Sequence, residues 1–386
     1  MRLLLPCAAL LLALAACHNA GDDDDLSLSA PVAAGDMIAL RPAPSDAPGT
    51  TYRLLYRSTD AHLPNKLVAV SATLIVPYGR PPRGGWPVMA WGHGSTGIGL
   101  TCAPSVMGIG GPQAAFYGAW LRAGFAVVAT DYPGLGEAGA PLFLNARSEG
   151  MAMLDSVRAA RHAVSDLGSG VVLQGHDEGA QGALAAAGIA AQYAPDVQVA
   201  GTIAIAPPDP ARDPDFLTGS GNPHRFSPSV PHALILGASL GRADPSFQPD
   251  RAFTPRALPA YHIAQKECRS DVFVAAERDG LTPANALTPE AARALAPAIA
   301  WTKYPTLALK QPVMLAIGTG DTQVPVMAQE RLAQDLCAAG TNVTVERYRG
   351  AEHTPVRARA QSDAIAFARN VLDGGVPSSA CGVLRR

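Results

Sequence analysis

The sequence predicts an α/β protein: a mostly parallel sheet covered by helices on both faces, with a cap or lid inserted late in the chain. Three observations predict it. Short, continuously apolar runs alternate with helical segments after about residue 65. That rhythm stops for about 100 residues, over 207–310, and then resumes; a structureless loop of that length is improbable inside a domain. One strand runs into Gly175-His176-Asp177-Glu178-Gly179 and straight on into a helix. With 386 residues, 48% hydrophobic and 16% charged, the chain can fill one large core and is not disordered in bulk. Its net charge is −2, and no basic run exceeds two residues, which excludes a nucleic-acid partner.

At the N-terminus, Met1-Arg2 precedes an apolar run over 3–16, too short to span a bilayer and matching a secretory signal peptide. It ends Leu14-Ala15-Ala16-Cys17, which resembles the lipobox of bacterial lipoproteins, where the cysteine is lipidated and becomes the mature N-terminus. The expected layout is a leader over 1–16, then a lipid-anchored acidic linker over 17–49 carrying the aspartates at 22–25. The protein would then sit on a bacterial envelope membrane through Cys17.

Core segments follow in two parts, 50–206 and 311–386. Strands are expected at 66–76, 87–91, 125–130, 171–174 and 199–206, with helices at 113–122, 151–167 and 178–192. After the insertion come a strand at 313–317, a helix at 326–339, a strand at 343–348 and a helix at 358–372. Beyond the leader the chain has Cys102, Cys268, Cys337 and Cys381. An even number in an exported chain suggests two disulfides, with three possible pairings; no cysteine or histidine spacing suits a metal.

The turn at Gly175–Gly179 is the most informative stretch. Glycine on both sides of the central residue permits a turn so tight that this residue projects above the sheet, the geometry of a nucleophile elbow. The central residue is Asp177, not serine; a plain helix N-cap is the alternative role. Asp321 follows an apolar strand in Gly318-Thr319-Gly320-Asp321, and His353 follows the next strand, 32 residues on. Asp177, Asp321, His353 is the nucleophile–acid–histidine order of the α/β-hydrolase fold. The Gly-rich turn His93-Gly94-Ser95-Thr96-Gly97 follows another strand. Its Ser95 or Thr96 N–H, with that of Glu178, would form an oxyanion hole. His93, His162 and His176 read as structural.

At these residues the chain resembles the secretory lipase family of α/β hydrolases, the Candida antarctica lipase A-like group. The matching segments are His93–Gly97, Thr130-Asp131-Tyr132-Pro133-Gly134-Leu135-Gly136, the elbow, Gly320-Asp321 and His353, within about residues 50 to 381. The resemblance implies that Asp321 and His353 are triad members and that 207–310 is a lid. It also implies disulfides Cys102–Cys268 and Cys337–Cys381, and hydrolysis of carboxylic esters of small apolar character without a cofactor.

Asp177 is the departure, because that family carries serine there. Gly-His-Asp-x-Gly instead looks like the elbow of haloalkane dehalogenases and epoxide hydrolases. Aspartate is already ionised at neutral pH, with an ordinary pKa of about 3.9, so it needs no base before attack. It suits an sp³ carbon; attack on an ester carbonyl gives a mixed anhydride, an uphill step. A slower route has Asp177 and His353 positioning water directly. Dehalogenases have a tryptophan after the nucleophile, whereas here Glu178 would repel a halide or simply match the helix dipole. Epoxide hydrolases use two lid tyrosines, for which Tyr261 and Tyr304 are the candidates. Three classes follow: an ester hydrolase with an Asp177-His353-Asp321 triad, a carboxylate-nucleophile hydrolase of epoxides or alkyl halides, and an inactive binding protein on a lipase scaffold. An oriented histidine and acid favour the first two.

Overall fold

A computed structural model describes residues 32–63, 66–219 and 221–384. The leader, Cys17 and the acidic run lie outside the described residues. Nine strands form one sheet in the order β1-β2-β3-β5-β4-β6-β7-β8-β9: β1 Met37–Pro42, β2 Gly49–Thr59, β3 Leu67–Pro77, β4 Trp86–Gly92, β5 Ala126–Thr130, β6 Leu167–His176, β7 Gln198–Ile205, β8 Val313–Gly318 and β9 Val343–Tyr348. The pairings from β1 to β3 and on to β5 are antiparallel; those joining β5, β4, β6, β7, β8 and β9 are parallel.

Helices cover both faces. Ala146–Ala163, Glu178–Tyr193 and Val326–Ala338 share one apolar cluster with Leu74, Leu173 and Leu315. Gly111–Arg122 and Gln361–Leu372 pack on the other face around Trp91, Trp120 and Met314. The parallel strands β5 and β8 are buried along their whole length, which is why they read as unbroken apolar runs; β9, at the sheet edge, is mostly part-exposed. The connection out of β4 goes to β5 on one side, while β6 flanks β4 on the other. A crevice therefore opens at the carboxyl ends of β4 and β6, where such sheets place their sites.

Two strands escape the sequence reading, and the expected linker to residue 49 is corrected by them: the chain is already in the sheet at Met37. β1 is an exposed edge with a register shift near its start and a proline at its end, so it lacks clean alternation. In β2 the inward positions include polar Thr51 and Ser58, and Ser58 is satisfied inside by Asp155 at 2.8 Å. The helix expected at 151–167 starts at Ala146 instead, because Asn145 accepts from the Ser148 N–H at 2.9 Å and caps it. It stops at Ala163, where Val164 turns extended, and Leu167 already belongs to β6. The helix expected at 358–372 is two pieces, Pro355–Arg359 and Gln361–Leu372.

Between β7 and β8 the chain leaves the sheet and builds short helices, including Ser229–Ala243, Leu258–Ala264, Arg269–Arg278 and Ala296–Trp301. They enclose an apolar cluster of their own around Leu234, Leu236, Phe253, Tyr261 and Leu295, into which Ile98, Phe143 and Leu144 of the main body also pack. Both disulfides form, Cys102–Cys268 and Cys337–Cys381. The first fastens the insertion to the segment after β4, beside a strand-like bridge between Gly97 and Cys268.

Candidate active site

β6 ends at His176, and the next residue, Asp177, sits at φ 56° and ψ −124°. A non-glycine residue in that region is strained and must be held there. Its N–H donates to the Ile205 carbonyl at 3.0 Å, and its carbonyl accepts from Ala180 at 2.9 Å and Gln181 at 3.2 Å. Glycines on either side make the turn possible. A Cβ at Gly175 would lie 1.9 Å from the Gly179 carbonyl oxygen, and one at Gly179 would lie 2.0 Å from that of Gly92. Strands β4 and β6 and the following helix thus meet backbone to backbone. The Asp177 side chain makes no cap bond to its own helix, which removes the N-cap reading.

The carboxylate points across the strand ends instead. Oδ2 accepts from the Ser95 N–H at 3.2 Å and the Ser95 hydroxyl at 3.0 Å. Oδ1 lies 3.7 Å from His353 Nε2, a charge contact rather than a hydrogen bond. On the far side of the ring, His353 Nδ1 is 2.9 Å from Asp321 Oδ2. Asp321 is itself fixed by the N–H groups of Gln323 (2.9 Å) and Val324 (3.0 Å) and by the Gln329 amide (3.2 Å). Asp177, Asp321 and His353 are all buried. The three distant residues picked from the sequence do converge at one rim of the sheet.

Burial pushes the Asp177 carboxyl up, but neighbouring positive charge outweighs it, His353 foremost and Arg269 further off, and holds the group below the ordinary carboxylate range. His176 and His232 add little at neutral pH, since burial drops them to about 4 and about 3. For His353, burial lowers the pKa, yet the hydrogen bond to Asp321 and the charges of Asp177 and Asp321 raise it overall.

Similarity to solved structures now decides the architecture: the chain superposes on Candida antarctica lipase A in its closed state with a TM-score of 0.73, at 24% identity, over 91% of this chain and 85% of that one. The fold is that of an α/β hydrolase. A mutant of the rice cell wall degrading esterase LipA from Xanthomonas oryzae also matches this hydrolase fold. There the TM-score is 0.71 and the identity 17%, over 89% of this chain and 100% of that one. In sequence, lipase A of Moesziomyces aphidis is 25% identical, over 91% of this chain and 79% of that protein. The secretory lipase family model matches residues 113–209, the segment that contains the elbow.

Within the hydrolase fold, the other residues picked from the sequence divide. Ser95, expected to donate its N–H to a substrate oxygen, here donates both its N–H and its hydroxyl to Asp177 Oδ2. Among the described residues no hydrogen bond joins Thr96 to Asp177; the Thr96 carbonyl accepts from the Arg269 N–H at 2.8 Å. Glu178 opens the helix, but its carboxyl turns inward, accepting from the Leu144 N–H at 3.1 Å and lying against Glu149. Burial raises Glu178 to about 7 and Glu149 well above its usual range, so Glu149 holds its proton at neutral pH. That corrects the expectation of a charged Glu178 facing the site. Tyr261 and Tyr304 are corrected too: Tyr261 packs in the core of the insertion, and the Tyr304 hydroxyl donates to the Pro208 carbonyl at 2.5 Å. His93 stacks on Tyr132 at 4.4 Å, and His176 Nε2 donates to the His353 carbonyl at 2.8 Å.

Two cavities of about 320 Å³ each meet at Ser95, Asp177 and Gln323. One runs under the insertion past Phe216 and Phe226 and carries Asp209, Asp213, Asp215 and Arg225. The other lies between Trp91, Tyr117 and His353 and carries Arg269 and Arg357. Sequence reasoning missed Gln329, Arg269 and Arg357. Arg269 had a signal, because it adjoins Cys268 of the implied disulfide.

Proposed function

We propose that the chain is an exported hydrolase of lipase type that cleaves small, largely apolar ester-like substrates, with Asp177 as nucleophile, His353 as proton carrier and Asp321 orienting it. One observation carries the reading: an ordered line of carboxylate, imidazole and carboxylate at a strained elbow, opening onto two cavities. The names of the relatives, lipase and esterase, support the ester class. The two disulfides support export, and anchoring of the chain to a membrane through Cys17 rests on its leader motif.

The hydrogen bonds of Asp177 favour one form of the chemistry. In a serine hydrolase the substrate's carbonyl oxygen takes the oxyanion donors. Here Asp177 Oδ2 already takes those of Ser95. Oδ1 is then the attacking oxygen, and the fitting electrophile is a carbon that does not need the same donors: an sp³ carbon bearing a leaving group X, such as the acid part of an ester. Oδ1 bonds to that carbon as the C–X bond breaks, and X departs with the bonding pair and the proton from His353. Water then gives a proton to the now neutral His353 and adds to the Asp177 carboxyl carbon. Charge collects on Oδ2 against Ser95, and collapse releases the alcohol, which takes that proton. The balance is R–X plus water giving R–OH plus HX. The same arrangement of Oδ2 favours alkyl halides as a second substrate class. Epoxides lose support, since neither Tyr261 nor Tyr304 lines either cavity.

Single turnover in ¹⁸O water tests the reading: label is expected in the Asp177 carboxylate, read by peptide mass spectrometry. Turnover without label there would remove the covalent route and leave water positioned directly by Asp177 and His353. No turnover from a panel of esters and alkyl halides would leave the binding protein.

A further inference from the structure

The two cavities that share Asp177 differ in charge. The cavity under the insertion is lined by three aspartates besides Asp177, and by one arginine. The other is lined by Arg269, Arg357 and His353, with Asp177 as its one carboxylate, already engaged by Ser95 and His353. Neither arginine has a salt-bridge partner among the described residues. Arg357 is braced by Gln113 through Nη1 at 2.8 Å and lies over the Phe116 ring at 4.9 Å. Arg269 is braced by Gln323 through Nη2 at 2.7 Å and lies over the Phe273 ring at 3.9 Å. Each guanidinium has five N–H donors and is held in place by neutral groups, so each keeps donors and a full charge for a guest. Both are half-buried, and a partly desolvated arginine left without an anion is a costly feature unless an anion visits.

We infer that this second cavity is a carboxylate-binding subsite, in which Arg269 and Arg357 hold the acid part of the substrate and the carboxylate it becomes. It rests on the proposed ester chemistry only for the origin of the carboxylate; the recognition itself needs no turnover. The volume, about 320 Å³, suits a benzoate-sized acid, and the rings of Trp91 and Tyr117 on its wall suit an apolar body behind the charged head. The same acid would be repelled from the other cavity by Asp209, Asp213 and Asp215, so the charge pattern fixes which arm of an ester points which way.

The test measures binding by isothermal titration on the intact protein, with benzoate and its neutral isostere benzamide as probes. Benzoate is expected to bind at least about tenfold more tightly than benzamide, and R357Q and R269Q are each expected to erase about tenfold of that preference. R357K, which keeps the charge, should retain most of it and guards against loss of fold. A second arm compares KM for monomethyl glutarate, whose ester oxygen carries an sp³ carbon, with that for methyl valerate. A lower KM for the glutarate assigns the subsite to a second carboxylate carried by the substrate; equal KM values with tight benzoate binding assign it to the released acid. Equal binding of benzoate and benzamide, or a benzoate preference untouched by both glutamine variants, overturns the subsite. Because binding is read without turnover, an inactive protein that still prefers benzoate would sink the ester reading and leave the subsite standing.

Discussion

Asp177 and Glu178 are chain neighbours at the mouth of one helix, both carboxylic acids and both almost out of water. Asp177 stays ionised because a histidine and an arginine outweigh the cost of burial, and Ser95 donates two hydrogen bonds to it. Glu178 faces a second buried carboxyl, Glu149, and that pair keeps a proton. Burial is common to both, so it is the partner that decides the charge. Asp177 carries the negative charge toward the cavities, while Glu178, turned to the Leu144 N–H and Glu149, is held closer to neutral and spares the site a second full anion.

Removing His353 breaks the comparison most severely. His353→Ala is expected to lower turnover by about 10³-fold or more. If Asp177 forms the covalent bond, the variant should also accumulate an alkyl ester on Asp177, visible as an intact-mass increase. Asp177→Ser makes the upper carboxyl vanish and frees the Ser95 donors for a substrate carbonyl. p-Nitrophenyl ester hydrolysis should rise by about 10²-fold, and no gain would mean that His353 cannot serve a serine in this geometry. Ser95→Ala removes one of two donors to Oδ2, and a loss of about tenfold in kcat is expected with KM little changed.

A smaller effect separates the two carboxyls by pH. The Glu149–Glu178 pair binds protons more tightly folded than unfolded, so its contribution to stability is complete below about pH 4.5. It is lost as pH rises through the Glu178 value of about 7. Asp177 works the other way: its contribution is present above the ordinary carboxylate range and is lost as pH falls below it. Thermal melts should therefore show stability declining between about pH 5 and pH 8, with the decline flattened in Glu149→Gln. An unchanged slope in that variant would deny that Glu149 keeps its proton.

Much of this was legible in the residues themselves. The inner parallel strands announced themselves as apolar runs because they are covered twice, and the elbow because only glycine fits at 175 and 179. β1 and β2 were not legible, since an exposed edge and inward-facing Thr51 and Ser58 blur the alternation that marks a strand. The turn of Glu178 toward Glu149 was hidden for another reason: Glu149 lies 29 residues earlier, on a helix whose packing against the elbow helix no local pattern reveals. Arg357 was hidden likewise, because its meeting with Gln113 depends on a contact across 244 residues.

The bond between Cys102 and Cys268 has a mechanical meaning for any movement of the inserted helices. Cys268 is followed directly by Arg269, whose N–H is tied to Thr96, one residue beyond Ser95. The insertion is therefore pinned at the very spot where Arg269 stands near Asp177. The Cys102–Cys268 bond and the Arg269 N–H on the Thr96 carbonyl tie the insertion to the turn that carries Ser95. Shortening or exchanging these helices for engineering purposes would have to begin on the far side of that tie, since a cut at 268–269 would dismantle the floor of the site together with its roof.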